Sequence, residues 1–184
     1  MIVLASKSPR RKELMKLIDV DFITFNSDID EDISYLLPTP LEATRDIALR
    51  KALKAKEAYP NEIILSADTI VVLNNEILHK PNSEEDAYNI LKKLSNKTHE
   101  VITAYTIINK DKILTNHVIS YVTFNELSDE LINAYIKTGS PLAKAGAYGI
   151  QDKDFDLVKS YEGSYDNIVG FPVDEIKEDL KRMA

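Results

Sequence analysis

The sequence predicts a mixed α/β (α+β) fold. Strand-like and helix-like runs alternate along the chain, capping residues open most of the helical runs, and two long β-rich runs adjoin across Asn109-Lys110-Asp111-Lys112. Runs joined by so short a turn pair antiparallel, so the sheet is expected to be mixed rather than doubly wound and parallel. The 184 residues suit one compact domain over 1–184, or two small lobes sharing a core.

Ile2 to Ala5 reads as a short buried strand. Ser8-Pro9 then opens a helix, because serine caps the free amides and proline fits the first helical position. Leu14, Leu17 and Ile18 give that helix an apolar side. Val20 to Phe25 is expected as a strand, and the acidic stretch Asp28 to Asp32 as a loop. Thr39-Pro40-Leu41-Glu42 has the form of a capping box, opening a helix that runs to about Tyr59 and stops at Pro60. Ile63 to Leu73 is rich in Ile and Val and reads as a strand, with Asn74-Asn75 turning into Glu76 to Leu78. Ser83 caps a helix whose apolar residues are Ala87, Ile90, Leu91 and Leu94. The two long strands are Val101 to Ile108 and Ile113 to Phe124. Ser128 caps a helix to about Lys137, a Gly-containing stretch covers Ala145 to Ile150, and a final helix follows Pro172.

Composition excludes several function classes. Hydrophobic residues make up 44% and charged residues 29%, an ordinary globular mix. A net charge of -7 leaves no basic surface of the size nucleic acid needs, so any phosphate site must be local. With no cysteine, thiolate catalysis and Cys-based zinc sites are out. His79, His99 and His117 lie far apart, without helical ligand spacing. The run MIVLASKSPRR is too short in apolar residues for a secretory signal, and no run approaches a membrane span. The expected location is the cytoplasm.

Four segments carry candidate chemistry. In Ser6-Lys7-Ser8-Pro9-Arg10-Arg11 a strand ends and a helix begins, where free amides, two hydroxyls and two guanidinium groups favour a phosphate. The glycines of a P-loop are missing. In Ser66-Ala67-Asp68-Thr69 a carboxylate interrupts an apolar run. Asp68 is either a strand-end turn residue or a group with a metal, a lysine or a proton as partner. Lys80-Pro81 and Lys51, each taken alone, read as solvated lysines, and gain a phosphate role only in company with the other segments. The acidic group Asp28, Asp30, Glu31 and Asp32 is a solvated loop or a source of oxygen ligands for a divalent ion. Lys144 to Gln151 reads from residue types first as a Gly-containing bend between strands; its two glycines also permit positive φ or close backbone approach, and the Gln151 amide complements the N3–H and O4 edge of uracil or thymine. Gly163 to Asn167 is a further turn that could face a ligand. From residue types alone, the chain is a candidate phosphate-ligand enzyme using a metal, with the bond cleaved left open.

In their order, these segments resemble the Maf family of nucleotide pyrophosphatases. The resemblance rests on Leu4 to Arg11, Ala67 to Val71, Lys80-Pro81, Leu94 to Thr103, Lys144 to Gln151 and Gly163 to Pro172, nearly the whole chain. It implies an elongated mixed sheet of the ITPase-like kind with a cleft between two lobes, and hydrolysis between the α- and β-phosphates helped by Mg²⁺ or Mn²⁺. It implies Asp68 as proton acceptor, Glu31 with Asp68 at the metal, and Lys51 and Lys80 as catalytic cations. Ser6, Ser8, Arg10, Arg11, Thr69, Lys144 and Gln151 would bind substrate, and a homodimer is implied. Arg10, Thr69 and Gln151 match the branch acting on dTTP and UTP rather than the branch acting on methylated GTP. Three positions depart from the family pattern: Ala143 stands for a usual Asp, and His79 and Asn96 for usual glycines. The implied role is nucleotide-pool cleansing or arrest of cell division. The rival readings are a nucleotide-sensing regulator of septum formation without turnover, and a phosphatase releasing orthophosphate.

Overall fold

A computed structural model describes all residues, 1–184. The strands are β1 (Ile2–Ala5), β2 (Phe22–Thr24), β3 (Ile63–Leu73), β4 (Glu76–Leu78), β5 (Thr98–Asn109), β6 (Lys112–Phe124) and β7 (Val158–Glu162). The helices are α1 (Pro9–Met15), α2 (Pro40–Ala58), α3 (Glu84–Leu94), α4 (Asp129–Lys137), α5 (Tyr165–Val169) and α6 (Val173–Met183). All seven strands form one sheet in the order β2-β1-β3-β5-β6-β7, with β4 also paired to β3. The β1 pairings to β2 and β3 are parallel, and the others are antiparallel. The mixed sheet is therefore as the sequence predicts.

The caps work as expected. The hydroxyls of Ser8, Thr39, Ser83 and Ser128 each accept an amide hydrogen bond from three residues on. Asn74 and Asn75 take φ of 50° and 66°, the left-handed pair that a two-residue hairpin needs. Asn96 also sits at positive φ, 57°, so asparagine fills a turn where the sequence lacks glycine. Helix α2 buries Ala43, Ala48, Ala52 and Ala55 with Thr44 and Ile47. Side chains this small let the helix lie close on the sheet.

The structure corrects the sequence reading at three places. Leu17 is exposed rather than on the apolar side of α1, because the chain tightens into a 3-10 turn over Lys16–Ile18; Met15 and Ile18 are buried and Leu14 packs against them half-buried. The second strand shrinks to three residues. Gly163 opens onto α5, and Asn167 is buried in it, donating to the Val101 carbonyl at 3.2 Å and Ser120 Oγ at 3.0 Å. The expected turn is thus the start of a short helix that braces β5 and β6. Strand β7 was not anticipated: it is an edge strand, exposed along most of its length, and shows no apolar alternation.

Gly146 has φ of 70°, and a Cβ placed there would lie 2.7 Å from Val71 Cγ2. Gly146→Ala should therefore destabilise the fold by about 1 to 3 kcal/mol. Thermal unfolding checks this, and an unchanged melting temperature would mean that the loop relaxes freely.

Candidate active site

The site begins with a gap along one edge of β3. On that edge, Ile63 to Ser66 pair with β1 and Val71 to Leu73 pair with β4. Ala67 to Ile70 have β5 on the other edge and no strand partner between β1 and β4. The carboxyl end of β1 runs into this gap as Ser6 to Arg11, and β4 ends beside it at His79-Lys80. Such a break in strand pairing beyond a carboxyl strand end is where open sheets bind ligands. Here it opens into a cleft of about 940 Å³.

Successive strand residues face opposite ways, so Asp68 and Thr69 leave β3 on different sides. Asp68 turns toward α2 and is 8% exposed. The Thr44 hydroxyl donates to its Oδ2 at 2.6 Å, and Lys51 Nζ lies 3.5 Å from Oδ1. Thr44, Ala48 and Lys51 form one stripe of α2; the carbonyl of Ala48 accepts from Ser66 Oγ at 2.5 Å. Lys51 also reaches Glu31 Oε1 at 3.1 Å, so one ammonium joins two carboxylates. Burial, opposed chiefly by Lys51, pushes the Asp68 carboxyl above the usual carboxylate range.

Thr69 turns to the opposite side. Its hydroxyl lies 2.9 Å from Arg11 Nη2, 2.8 Å from Thr103 Oγ1 and 3.3 Å from the Gly170 carbonyl. Arg11 Nε donates to that same carbonyl at 2.8 Å. Arg11 and Thr69 thus lock the first motif to the end of α5, leaving little of either group free. Arg10 and Lys80 line the cleft and make no hydrogen bond or ion pair within the chain. The hydroxyls of Ser6 and Ser8 accept from backbone or Arg11 but donate to nothing in the chain. Those four groups, and the exposed Lys7 that also lines the cleft, have donors left without an acceptor in the chain.

The Glu31 loop is braced from α2. Arg50 donates to the Asp30 carbonyl at 2.7 Å, pairs with Asp46 at 3.1 Å and contacts Ser34. Tyr35 meets the His79 ring edge-on at 4.8 Å between centroids, closing the loop against the end of β4. Across the cleft, Gln151 carries an amide with no partner in the chain. Gly149 leaves it room, since a Cβ there would lie 2.9 Å from both Gln151 Oε1 and Lys144 Cε.

All eleven residues singled out in the sequence line this one cleft: Ser6, Ser8, Arg10, Arg11, Glu31, Lys51, Asp68, Thr69, Lys80, Lys144 and Gln151. Its walls hold six basic and four acidic side chains, against a net charge of -7 for the whole chain. Asp28 and Asp32 also line it. Two carboxylates converge at Lys51, with no cluster of three or more acidic or histidine ligands anywhere. That donor set fits Mg²⁺, which takes one or two protein carboxylates and completes its shell with water and phosphate. Sequence reasoning missed Thr44, Tyr35 and the Arg50 brace; only the i, i+4, i+7 spacing of Thr44, Ala48 and Lys51 hinted at the first.

A family model described as Maf-like protein matches residues 1–183. The chain belongs to the Maf family. A protein of Ruminiclostridium cellulolyticum is 46% identical over 184 residues, covering 99% of this Maf-family chain and 95% of its own. One of Thermosipho melanesiensis is 47% identical, covering 95% and 93%. One of Bacillus mycoides is 42% identical, covering 98% and 94%. All three are named dTTP/UTP pyrophosphatase. Among solved structures, the Staphylococcus aureus Ham1 protein superposes with a TM-score of 0.54 at 17% identity, over 100% of this chain and 99% of that one. This Maf-family chain therefore shares the ITPase-like fold.

Proposed function

We propose that the chain hydrolyses dTTP and UTP to the nucleoside monophosphate and pyrophosphate. The observation that carries this is a buried carboxylate, Asp68, lining the same cleft as the unengaged cations Arg10 and Lys80. The names of the relatives support the substrate pair.

Arg10, Lys80 and the Ser6 and Ser8 hydroxyls take the phosphate oxygens, while Arg11 and Thr69 hold the first motif in place. Asp68 accepts the proton of the water that attacks the α-phosphorus. Its raised affinity for a proton suits a base working near neutral pH. The bond from the α-phosphorus to the bridging oxygen breaks, and pyrophosphate leaves toward the cations. Thr44 fixes Oδ2 of Asp68, and Oδ1, 3.5 Å from Lys51 Nζ, is the reactive oxygen. Glu31 and Asp68 would hold a Mg²⁺ or Mn²⁺ ion, which when bound supplies charge neutralisation for the triphosphate.

Gln151 is read as the reader of the base, donating to O4 and accepting from N3–H. Gln151→Glu presents two acceptors to that edge and should lower kcat/KM for dTTP and UTP by about a hundredfold. An unchanged preference across a nucleotide panel would remove Gln151 from that role.

The deciding assay offers purified dTTP, UTP, CTP and purine triphosphates with and without Mg²⁺ or Mn²⁺. Pyrophosphate from dTTP and UTP is expected. Orthophosphate alone would make the chain a simple phosphatase, and tight binding without product would make it a regulator. The wider reading is one domain of two lobes, working as a cytoplasmic homodimer in nucleotide-pool cleansing or division arrest; sedimentation tests the oligomeric state.

A further inference from the structure

Asp152 follows Gln151 directly, and its carboxylate gathers partners from α4, from the turn after it and from the 144–151 loop. Tyr135 of α4 donates to Asp152 Oδ2 at 2.6 Å, and Ser140 donates to the same oxygen at 2.6 Å. Lys144 Nζ lies 3.6 Å from that oxygen and donates to the Ser140 carbonyl at 3.3 Å. The Tyr135 oxygen in turn accepts from the Gly149 amide at 3.0 Å. One carboxylate thus connects a buried tyrosine, a serine on the turn after α4, and both ends of the 144–151 loop. Position 143, before the lysine, is an exposed alanine, so Asp152 is the acid paired with Lys144. Arg10 is also close enough to feel its charge.

We propose that Asp152 is a positioning residue of this site: its carboxylate ties Lys144 and the Gln151 loop to α4, and so sets affinity for the nucleotide. The inference rests on the nucleotide-hydrolysing reading of the same cleft. Burial opposes ionisation of Asp152, but the Ser140 and Tyr135 hydroxyls and Lys144 hold its carboxyl below the usual range, so it is charged at neutral pH. The arrangement works as a strut: removing the charge frees Lys144 and lets the loop move, while Asp68 and its partners on α2 stay where they are.

The test compares wild type, Asp152→Asn and Ser140→Ala in pyrophosphate release from dTTP and in binding of a non-hydrolysable α,β-imido dTTP. For Asp152→Asn, KM and the Kd of the analogue should rise about tenfold, with kcat falling less than threefold. Ser140→Ala, which removes one donor to the same oxygen, should shift Kd in the same direction by a smaller factor. Should Asp152→Asn lose thermal stability, Ser140→Ala decides alone. Unchanged KM and Kd in both variants would overturn the inference, as would an equal fall in kcat without a change in affinity. A wild type that binds the analogue but releases no pyrophosphate would instead overturn the proposed reaction, and the Kd comparison would still decide the role of Asp152.

Discussion

Asp68→Asn should lower dTTP turnover by about a thousandfold or more while leaving a folded protein. Asparagine keeps the shape and can still accept the Thr44 hydrogen bond, so the packing of α2 on β3 survives. It cannot take the proton of an attacking water and is a poor ligand for a hard cation. The stability effect has a definite sign. Burial, with Glu31 adding, raises the Asp68 carboxyl above its unfolded value despite Lys51, Thr44 and Arg11. The folded state then binds the proton more tightly than the unfolded one. The ionised carboxylate costs stability at neutral pH, and that loss is recovered as pH falls through the folded value. Asp68→Asn should melt at or above the wild-type temperature at neutral pH, with the gap narrowing toward acid. A variant retaining wild-type kcat would remove Asp68 from its role as proton acceptor.

Lys51→Met ranks second in expected effect. Its ammonium lies 3.1 Å from Glu31 and 3.5 Å from Asp68, at 18% side-chain exposure. Without it, the buried Asp68 carboxylate is left beside the more exposed Glu31 carboxylate with no ammonium joining them. Lys51 is the largest influence holding the Asp68 carboxyl down, so its loss raises that carboxyl further. Asp68 then stays protonated to higher pH, and the acid limb of the kcat/KM profile should move upward in pH. At neutral pH, kcat/KM should drop about a hundredfold. The measurement is the full pH profile beside that of wild type. A fall in rate with an unmoved acid limb would show that Lys51 acts on the phosphates alone.

Much of the fold is legible because its signals are local. The Ser8-Pro9 and Thr39-Pro40 caps, the Asn74-Asn75 turn and the run Ile63 to Leu73 each need only neighbours within a turn or a strand. Strand β7 and α5 escape the same reading. One is an exposed edge with no buried face to impose alternation, and the other is a single turn too short to show a helical period. The candidate site was legible through the order of its motifs and their resemblance to the Maf family, since Lys51, Lys80 and the Lys144 to Gln151 stretch read singly as solvated lysines and a bend. Arg11 and Thr69 show the limit of that reading. As residue types they look like free phosphate donors, yet the end of α5 engages both.

The sequence alone determined the mixed sheet and the starts of the capped helices, since capping, turn chemistry and periodicity act over a few bonds; the eleven residues that meet in the cleft were named through the resemblance of the ordered motifs to the Maf family. Only the tertiary structure decided the division of labour among them. Thr44 meets Asp68 across 24 residues, Arg11 meets Gly170 across 159, and Asp152 meets Tyr135 from another element. A side chain's charge is written in its residue type. Whether that charge is spent on a neighbour or left open to a ligand depends on desolvation and hydrogen-bond partners that come together only when distant segments pack.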